Sequence, residues 1–461
     1  MQQTPAVRGQ PPGADRRTLL LLAVPAATGY FVLGLVGDLR AHLMLFFALH
    51  ALLLAAMFAA WRRVRADHRS LPVALGAALL FRLVATPGEP ALSDDLYRYL
   101  WDGRLQLHGV HPYLHAPDDE SVAALRDAGW EKINHPQVKT IYPPLAQAFF
   151  LLLAALGAGP VGAKLALGLL DFGVVLALAR LLARAGLPRD RVLLYAWNPL
   201  AVLETAGSGH IEPLGVLLLV LACGGLLGSR SRWPAVALAA SVQVKLLPLV
   251  LVPGHLRRNG WKAALAFTAA LLLIGLPYAL AGPALGPGLA DYAERWEHNA
   301  FVFAGLRELS ERIDTAARLK PLIEGCRERF GDQPLWNALH GLVWPGEVTR
   351  ILAALALAAT MVGVMARRLT DPLREASLLI GTVLLLSPTV HPWYVLWLLP
   401  FAAARLSYGW LVFAAAVPLA YCAGEGDVPW ILRSVEYLPA LGLLIAGAWK
   451  ARARPAPITV C

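Results

Sequence analysis

Long apolar runs, separated by short clusters of Lys and Arg, limit the fold of this sequence more than any other feature. A run of about 20 apolar residues, wound as an α-helix, matches the hydrocarbon thickness of a bilayer. Hydrophobic residue types make up 57% of the chain and charged types only 16%, whereas roughly a quarter of a soluble protein is charged. The pattern predicts an all-α polytopic membrane protein with about fourteen transmembrane helices. The predicted spans lie near residues 19–37, 43–61, 71–86, 143–159, 162–183, 192–206, 213–229, 233–253, 261–281, 347–366, 374–387, 393–405, 408–422 and 430–449.

The excess of basic residues predicts an orientation in the membrane. Lys and Arg number 41 against 31 Asp and Glu, which gives a formal net charge of +10. These charges fill the gaps between spans and do not alternate with stacking aromatics, so they indicate topology rather than nucleic-acid binding. The positive-inside rule then places both termini in the cytoplasm. Arg16 and Arg17 precede the first run, which lacks a small-residue cleavage site and is interpreted as a membrane helix rather than a signal peptide.

One stretch conflicts with this orientation. The same count of helices places several arginines on the outer side, against the positive-inside rule. They are Arg184, Arg189, Arg191, Arg230 and Arg232. The segments between 191 and 253 are also short or interrupted by Pro199, Pro213 and Pro248. Such prolines favour half-helices that do not cross the membrane completely.

Two gaps between spans are too long to be turns, and both fall on the outer side. The second contains a stretch at 291–303 that mixes apolar and charged residues, which is typical of a helix lying in the membrane interface. Both gaps are predicted to be extracytoplasmic loops that carry interfacial helices. The predicted organisation is a cytoplasmic leader at 1–18, three helices at 19–86, the first loop at 87–141, further helices at 142–281, the second loop at 282–346, and the last helices with a cytoplasmic tail at 347–461.

Two adjacent carboxylates, Asp94 and Asp95, follow the third predicted span. On a helix Asp95 and Asp102 lie seven residues apart and share a face, so one of the pair can act as a base while Asp102 orients a partner or pairs with Arg98 or Arg104. The alternative is that Asp94 or Asp95 caps the helix beginning near Leu96. The spacing alone does not separate a catalytic role from a capping role.

Polar residues in or beside the apolar runs are further candidates, because ionisable residues at membrane depth are functional by default. Lys245 can hold a phosphate as a point charge, or extend its stem to the interface. His391 can meet a phosphate or hydroxyl, or simply begin a helix, and Trp393 and Tyr394 suit the aromatic belt. The other residues of this kind are Lys164, Asp171, Asn198, Glu204, His210, Glu212 and Gln243.

Taken in order, these landmarks resemble the GT-C superfamily of integral-membrane glycosyltransferases, close to the polyprenol-phosphate-mannose-dependent mannosyltransferases. The resemblance spans most of the chain and depends on the order of the motifs and their position at the outer face. The motifs are Asp94-Asp95-Leu96-Tyr97-Arg98-Tyr99, Gly103-Arg104, His111-Pro112-Tyr113, Tyr142-Pro143-Pro144, Asn198-Pro199-Leu200, Gly207-Ser208-Gly209-His210, Lys245 with Pro248, Trp296 with Asn299, and His391-Pro392-Trp393-Tyr394.

The resemblance implies roles for these residues. Relatives place a catalytic acid in the first outer loop, which here implies Asp95, or else Asp94, as the base. The donor phosphate would be bound by Lys245, Arg104 and His391. The sequence has Glu212 after His210, where the superfamily pattern has an Asp. The implied substrate-binding residues are Asp102, Tyr99, Tyr142, His210, Trp296, Asn299, Trp393 and Tyr394.

The implied activity is an inverting transfer of a hexose, with mannose as the leading suggestion, from a polyprenyl-phosphate donor to a lipid or glycan hydroxyl. The site would face outward from an integral membrane protein of the bacterial inner membrane. Relatives that use a monophosphate donor generally need no metal or other cofactor, although adjacent aspartates leave room for a divalent cation. The 4 cysteines show no CxxC or CxxH pairing, so neither zinc nor a disulfide framework is suggested.

A transporter or flippase for lipid-linked sugars is the competing prediction, because buried charges and Pro-broken helices also mark substrate pathways. An internal inverted repeat would favour it, and none is visible in the sequence.

Overall fold

The computed structural model describes residues 14–228, 232–282, 286–424 and 426–453, and every regular element in these ranges is helical. Most of the predicted leader (residues 1–13), Arg230 and the tail from 454 onward lie outside the described residues. The α-helices are α1 (Ala14–Val36), α2 (Leu43–Ala66), α3 (Leu71–Ala85), α4 (Asp95–Leu107), α5 (Pro144–Ala155), α6 (Pro160–Arg184), α7 (Leu193–Ala196), α8 (Pro199–Val202), α9 (Glu212–Leu226), α10 (Trp233–Val242), α11 (Val252–Asn259), α12 (Trp261–Ala281), α13 (Gly286–Arg295), α14 (Val302–Arg312), α15 (Thr315–Phe330), α16 (Pro334–Leu342), α17 (Pro345–Ala366), α18 (Pro372–Leu386), α19 (Leu399–Arg405), α20 (Tyr408–Ala416) and α21 (Trp430–Ala453).

Seven of the described helices are long and apolar enough to cross a membrane. Their outward faces carry large apolar side chains such as Leu273 and Leu280, which are 77% and 78% exposed. A soluble protein rarely exposes apolar surface of this extent, so these faces suit lipid. The prediction of an all-helical polytopic membrane protein is confirmed at this level, and the number of about fourteen spans stays a prediction. The candidate spans are Arg16–Val36, Leu39–Ala66, His68–Ala85, Pro160–Arg184, Trp261–Ala281, Pro345–Ala366 and Trp430–Lys450.

The predicted span at 143–159 does not cross the bundle. At the start of α5 the backbone N–H of Leu145 donates to the carbonyl of Gln243 at 2.9 Å. Just beyond its end, Lys164 in the second turn of α6 donates to backbone carbonyls of the first loop at Gly88 (2.9 Å) and Glu89 (3.1 Å). Both ends of α5 therefore lie at the end of the bundle that carries the first loop, which we call the site end.

α5 packs along α4 instead of spanning. The two helices cross at Gly103, where an added Cβ would come within 2.2 Å of the carbonyl oxygen of Phe150. Only glycine permits so close an approach of the two backbones. The twelve residues of α5 thus form a helix pair with α4 at the site end.

This path changes the position of the central arginines. Because α5 does not cross the bundle, α6 runs from the site end to the opposite end. Arg184, Arg189 and Arg191 therefore lie at that opposite end. There the indole N–H of Trp61, in the last turns of α2, donates to Asp190 at 2.9 Å. These arginines therefore lie at the same end of the bundle as the last turns of α2, and not at the site end, where the predicted path places them. We call their end of the bundle the basic end; its residues include Arg62, Arg63, Arg65, Arg257, Arg258, Arg367, Arg368 and Arg405.

A second deviation restores the predicted direction of the later helices. The predicted span at 233–253 is two passes, because α10 ends at Val242 near the site end and the 3₁₀ segment Leu247–Leu251 with α11 returns. At the basic end Arg258 on α11 forms an ion pair with Glu375 on α18. The run at 143–159 was counted as one pass and makes none, whereas the run at 233–253 was counted as one pass and makes two. The total number of passes before α12 is therefore unchanged, and the helices from α12 onward keep their predicted direction.

The chain between 189 and 259 is a succession of short helices, as the prolines indicated. Pro199, Pro213 and Pro248 each lie in the first turn of such a segment, where a missing N–H costs no hydrogen bond. Asn198 caps α8 by accepting from the N–H of Leu200 at 3.0 Å. The segment Leu203–Gly207 continues as a π-helix, an element often found at functional sites.

A buried ion pair joins the first helices to the central ones. Arg82 on α3 donates from Nε to Asp171 on α6 at 2.8 Å, and both side chains are fully buried. Tyr195 donates to the other oxygen of Asp171. This contact fixes α3, and with it the start of the first loop, against α6. Asp171 thus makes an interhelical polar contact, whereas Lys164 contacts loop backbone.

Both long loops contain helices. The first carries α4 and short 3₁₀ turns, and the second carries α13, α14, α15 and α16. A backbone pairing between His298 and Thr389 ties the second loop to the segment after α18. That these loop helices lie in the membrane interface stays a prediction.

Candidate functional site

A cavity of about 330 Å³ opens at the site end, which we call the first cavity. It lies between the start of α4, the end of the first loop, the turn after α10, α13 and the segment after α18. One wall is apolar and the other is polar and mostly cationic. The polar and aromatic lining residues are Asp95, Arg98, Tyr99, Asn134, His135, Lys139, Tyr142, Lys245, Tyr292, Trp296, Ser387, His391, Trp393 and Tyr394.

The fold gives the two adjacent aspartates different surroundings. Asp94 forms an ion pair with Arg40 at 3.0 Å, outside the first cavity. Asp95 occupies the first turn of α4 and lines the first cavity, where Asn134 donates to it at 3.0 Å. Neither side chain makes a capping bond to α4. Among the described lining residues Asp95 is the sole carboxylate.

A buried histidine lies behind Asp95. His210 Nε2 is 4.0 Å from Asp95 and has no hydrogen-bond partner. Its Nδ1 faces Glu204, 2.9 Å from the backbone oxygen and 3.2 Å from the carboxylate. Glu204 in turn accepts from Tyr421 at 2.8 Å. The carboxylate in the cavity is thus backed by an imidazole whose other nitrogen is held in place.

Two fixed partners hold Arg98 in the lining of the first cavity. Its Nε donates to Asp102 and its Nη1 to the carbonyl of Val138, both at 2.8 Å. Its Nη2 is buried without a partner. Asp102 is itself held by Gln147 at 2.8 Å. A rigid guanidinium with a free N–H is suited to an anion bound in the cavity.

Lys245 supplies a second cation. Its Nζ donates to Glu212 at 2.7 Å and lies 3.6 Å from the centre of the Tyr394 ring. The hydroxyl of Tyr394 is 2.5 Å from that of Tyr292. Glu212, where the superfamily pattern has an Asp, therefore positions Lys245.

Stacked rings form one side of the cavity. His210 stacks on Trp393 at 4.0 Å, Trp393 on His391 at 4.4 Å, and His391 on His298 at 4.7 Å. Burial, and next the neighbouring His298, hold the pKa of His391 well below the usual histidine range. The ring of His391 is therefore neutral near pH 7 and offers a hydrogen bond, not a charge.

Aromatic residues continue around the opening. Trp296 stacks on Tyr292 at 5.3 Å and meets His135 edge to face at 4.9 Å. The hydroxyls of Tyr99 and Tyr142 are 3.5 Å apart. Such rings present flat apolar faces beside polar groups, which suits the mixed surface of a sugar.

Comparison with known protein families decides the class. The model of glycosyltransferase family 87 matches residues 140–388, more than half of the chain. The chain belongs to glycosyltransferase family 87. No curated protein and no solved structure matches it. The family indicates a glycosyltransferase, in agreement with a GT-C-type membrane enzyme. Lys245 and Trp296 lie inside the matched residues of this family 87 chain, whereas Asp95 and His391 lie outside them.

Three of the predicted site residues of this family 87 glycosyltransferase are not brought to the first cavity, and Asp94, which pairs with Arg40, is the first of them. Arg104 lies on the opposite face of α4, where it pairs with Asp127. Asn299 is fully buried and donates to Glu436 on α21 at 2.7 Å. Asp102 lies behind Arg98, and His210 behind Asp95 and Trp393, so both contact lining residues without lining the cavity.

Several residues at the site were not predicted from the sequence. Arg98 was considered only as a partner of Asp102, and its free N–H is visible only in three dimensions. Asn134, His135 and Lys139 lie in the irregular end of the first loop, which has no periodic pattern to read. Tyr292 lay within the stretch assigned to an interfacial helix. The spacing of Arg98 and Asp102, four residues apart on a predicted helix, was the one feature of the sequence that pointed to Arg98.

The described residues contain no group of three or more His, Cys, Asp and Glu arranged to hold a metal ion. Asp94 and Asp95 face different partners, so they do not form a joint ligand pair. Metal independence stays a prediction.

Proposed function

We propose that this chain is an inverting glycosyltransferase that moves a hexose, with mannose as the leading candidate, from a polyprenyl-phosphate donor to a hydroxyl of a lipid or glycan. The observation that carries the proposal is the composition of the first cavity. One carboxylate, Asp95, faces a cavity that also contains Arg98, Lys139 and Lys245 beside an apolar wall.

Asp95 is the proposed general base. As the acceptor oxygen attacks the anomeric carbon, its proton passes to the carboxylate of Asp95. Asn134 fixes one carboxylate oxygen, and the imidazole of His210 lies beside the other. This arrangement supports Asp95 over Asp94, whose carboxylate is occupied by Arg40 outside the cavity.

Cationic side chains are the proposed partners of the leaving phosphate. As the bond between the anomeric carbon and the phosphate oxygen breaks, negative charge grows on the polyprenyl phosphate and needs fixed donors. The unpartnered N–H of Arg98 and the ammonium of Lys245 support this role, and neutral His391 adds a hydrogen-bonding group. Because base and leaving group act on opposite faces of the sugar, a single displacement inverts the anomeric carbon.

The apolar wall supports a lipid-linked donor. It is formed by side chains near the end of α10, in α13 and at the end of α18, and an isoprenoid chain would bury against them. These side chains are Val244, Leu246, Leu247, Leu289, Val383 and Leu384.

The clustering of arginines supports the proposed orientation. With Arg184, Arg189 and Arg191 at the basic end, the positive-inside rule places that end in the cytoplasm and the first cavity on the outer face. An integral protein of a bacterial inner membrane is the proposed location.

The test is sugar transfer by the purified full chain in lipid nanodiscs. Radiolabelled polyprenyl-phosphate mannose is supplied with a membrane extract as the source of acceptors, and one arm contains a chelator. We expect labelled product with and without chelator, and a loss of about 100-fold or more in Asp95→Asn, the scale of losing a general base.

Asp94→Asn is the matched control, since it makes the same change one residue away. It is expected to keep most of the activity because Asp94 lies outside the cavity. Loss in Asp94→Asn with full activity in Asp95→Asn would contradict the assignment of the base. No transfer from any polyprenyl-phosphate sugar by folded wild-type protein would overturn the proposal and favour a transporter.

A further inference from the structure

A second cavity, of about 520 Å³, lies on the other side of α4. α4 separates the two cavities because its residues divide between opposite faces. Asp95, Arg98 and Tyr99 line the first cavity, whereas Tyr97 and Arg104 line the second. The residues of the second cavity are Glu89, Tyr97, Leu100, Trp101, Arg104, Leu107, His108, Asp127, Ala128, Gly129, Trp130, Lys132, Ala154, Gly157, Ala158, Gly159 and Pro160.

The charges of the second cavity are balanced within it. Lys132 pairs with Glu89 at 3.2 Å, and Arg104 pairs with Asp127. The lining of the second cavity therefore has no net charge, whereas the first cavity is lined by three cations, Arg98, Lys139 and Lys245, and one carboxylate. A phosphate would bring uncompensated negative charge into the second cavity, so its lining favours an uncharged ligand rich in hydroxyls.

Fixed aromatic rings complete the lining. Trp130 is held by a hydrogen bond from Nε1 to the carbonyl of Pro117 at 2.8 Å and by Arg126 over its ring at 4.6 Å. Trp101 is only 2% exposed, and its Nε1–H has no hydrogen-bond partner. Flat rings beside paired carboxylates match the apolar faces and hydroxyls of a pyranose ring.

The two cavities are linked by a short piece of the first loop. Lys132 lines the second cavity and Asn134, two residues on, lines the first and donates to Asp95. Two residues of chain span at most about 7 Å. The nearest lining residues of the two cavities are therefore closer together than the length of a short saccharide chain.

We propose that the second cavity is an acceptor subsite that binds a neutral hexopyranose unit remote from the reacting hydroxyl. This inference rests on the proposed function and deepens it: the enzyme extends an existing saccharide chain. The reaction that supplies its substrate must accordingly be an earlier glycosyl transfer that places at least one sugar on the acceptor.

The first test fills the second cavity. Gly159 lines it with φ −83°, and an added Cβ would meet no atom within 4 Å, so a larger side chain is accepted without backbone strain. Binding of methyl hexopyranosides and their disaccharides to the full chain in nanodiscs is measured by saturation-transfer NMR. We expect Gly159→Phe to weaken disaccharide binding by about tenfold or more, whereas Gly159→Ala, the matched control, retains it.

The second test changes one ring of the lining. Trp101→Phe replaces the indole with a smaller ring, and disaccharide binding is expected to fall about fivefold because ring contact with the sugar is lost. Trp397→Phe is the control, because Trp397 is also buried with an unpartnered Nε1 but does not line the second cavity. Melting temperatures of all variants establish that they are folded.

Two outcomes overturn the inference: no probe binds the wild type, or Gly159→Phe and Trp101→Phe bind disaccharides as the wild type does. Transfer kinetics separate this failure from that of the proposed function. If the function holds, Gly159→Phe raises the acceptor KM about tenfold and leaves the donor KM unchanged. Disaccharide binding without transfer from any donor would overturn the transferase proposal and leave the sugar site standing.

Discussion

Asp94 and Asp95 show how the fold separates two chemically identical neighbours. Successive residues at a helix start point about 100° apart, so one can face a cavity while the other faces a neighbouring segment. Arg40, which precedes both by more than 50 residues, forms an ion pair with Asp94. Asn134 donates a hydrogen bond to Asp95. Neither partner is close in sequence to the two aspartates. The spacing of residues near Asp94 and Asp95 therefore could not distinguish a catalytic role from a capping role.

Arg98 yields a prediction at the same scale. We expect Arg98→Gln to lower kcat/KM for the donor by about 100-fold, because a charge-assisted contact to the leaving phosphate strengthens as its charge develops. Arg98→Lys should recover part of this loss, since the charge remains without the fixed fork. Steady-state kinetics with varied polyprenyl-phosphate sugar provide the measurement.

Arg104→Gln is the control for that series. Arg104 occupies the opposite face of α4 beside Asp127, and the donor KM is expected to stay within about twofold of wild type. A donor KM that rises in Arg104→Gln and not in Arg98→Gln would reverse the two assignments.

His391 gives a pH dependence whose sign follows from its surroundings. Burial, and next the neighbouring His298, lower the pKa of the folded ring, whereas an unfolded histidine titrates near 6.5. Below about pH 6.5 the unfolded chain therefore binds a proton that the folded chain refuses, and stability falls as the pH falls.

We expect His391→Gln to remove this contribution. The melting temperature in detergent, measured from pH 8 to pH 5, should drop less in the variant than in the wild type. An equal drop in both proteins would show that His391 does not contribute.

At the scale of elements, α4 borders both cavities because its residues lie on opposite faces of the helix. The sequence indicated a helix beginning near Leu96 and the shared face of Asp95 and Asp102. It did not indicate that the other face borders a second cavity, since that cavity is completed by the end of α5 and the start of α6. The small residues at 154–159 acquire a role only through this packing.

Lys164 ties α6 to the start of the first loop. Its Nζ donates to backbone carbonyls between Pro87 and Glu89, and the side chain is buried. Lys164→Met would leave these carbonyls without donors, so we expect the free energy of unfolding to fall by about 3 kcal/mol. Hydrogen exchange at 87–95 should accelerate in the variant.

Lys132→Met is the comparison for Lys164→Met. Lys132 pairs with Glu89 in the same loop, but both side chains are about half exposed. Exposed pairs contribute about 0–1 kcal/mol, so its unfolding free energy and exchange at 87–95 should stay near wild type. Equal destabilisation by both variants would argue against a special role for Lys164.

For the whole molecule, the main correction to the sequence prediction concerns the path of the chain. The run at 143–159 is apolar enough to be predicted as a span, yet α5 stays at the site end. The run at 233–253 was predicted as one span, but the chain turns at Gln243. Hydropathy reports how apolar a segment is and not where its ends lie, so neither error was visible locally.

Labelling of single cysteines tests this path. The background replaces Cys223, Cys326, Cys422 and Cys461. An impermeant maleimide applied to intact cells is expected to label Ser121→Cys and to spare Arg189→Cys and Arg65→Cys. All three positions lie in exposed segments. Labelling of Arg189→Cys together with Ser121→Cys would restore the path predicted from the sequence.

The sequence by itself determined the helical membrane class, the two long loops, the broken central segments and eight of the fourteen polar and aromatic residues that line the first cavity. These follow from hydropathy, proline position and local motifs, which act over a few residues. The tertiary structure decided that Asp95 rather than Asp94 faces the cavity, that Arg98 rather than Arg104 does so, and that the central arginines join the basic end. Each of these depends on contacts between segments distant in the chain, and packing between such segments leaves no local pattern in the sequence.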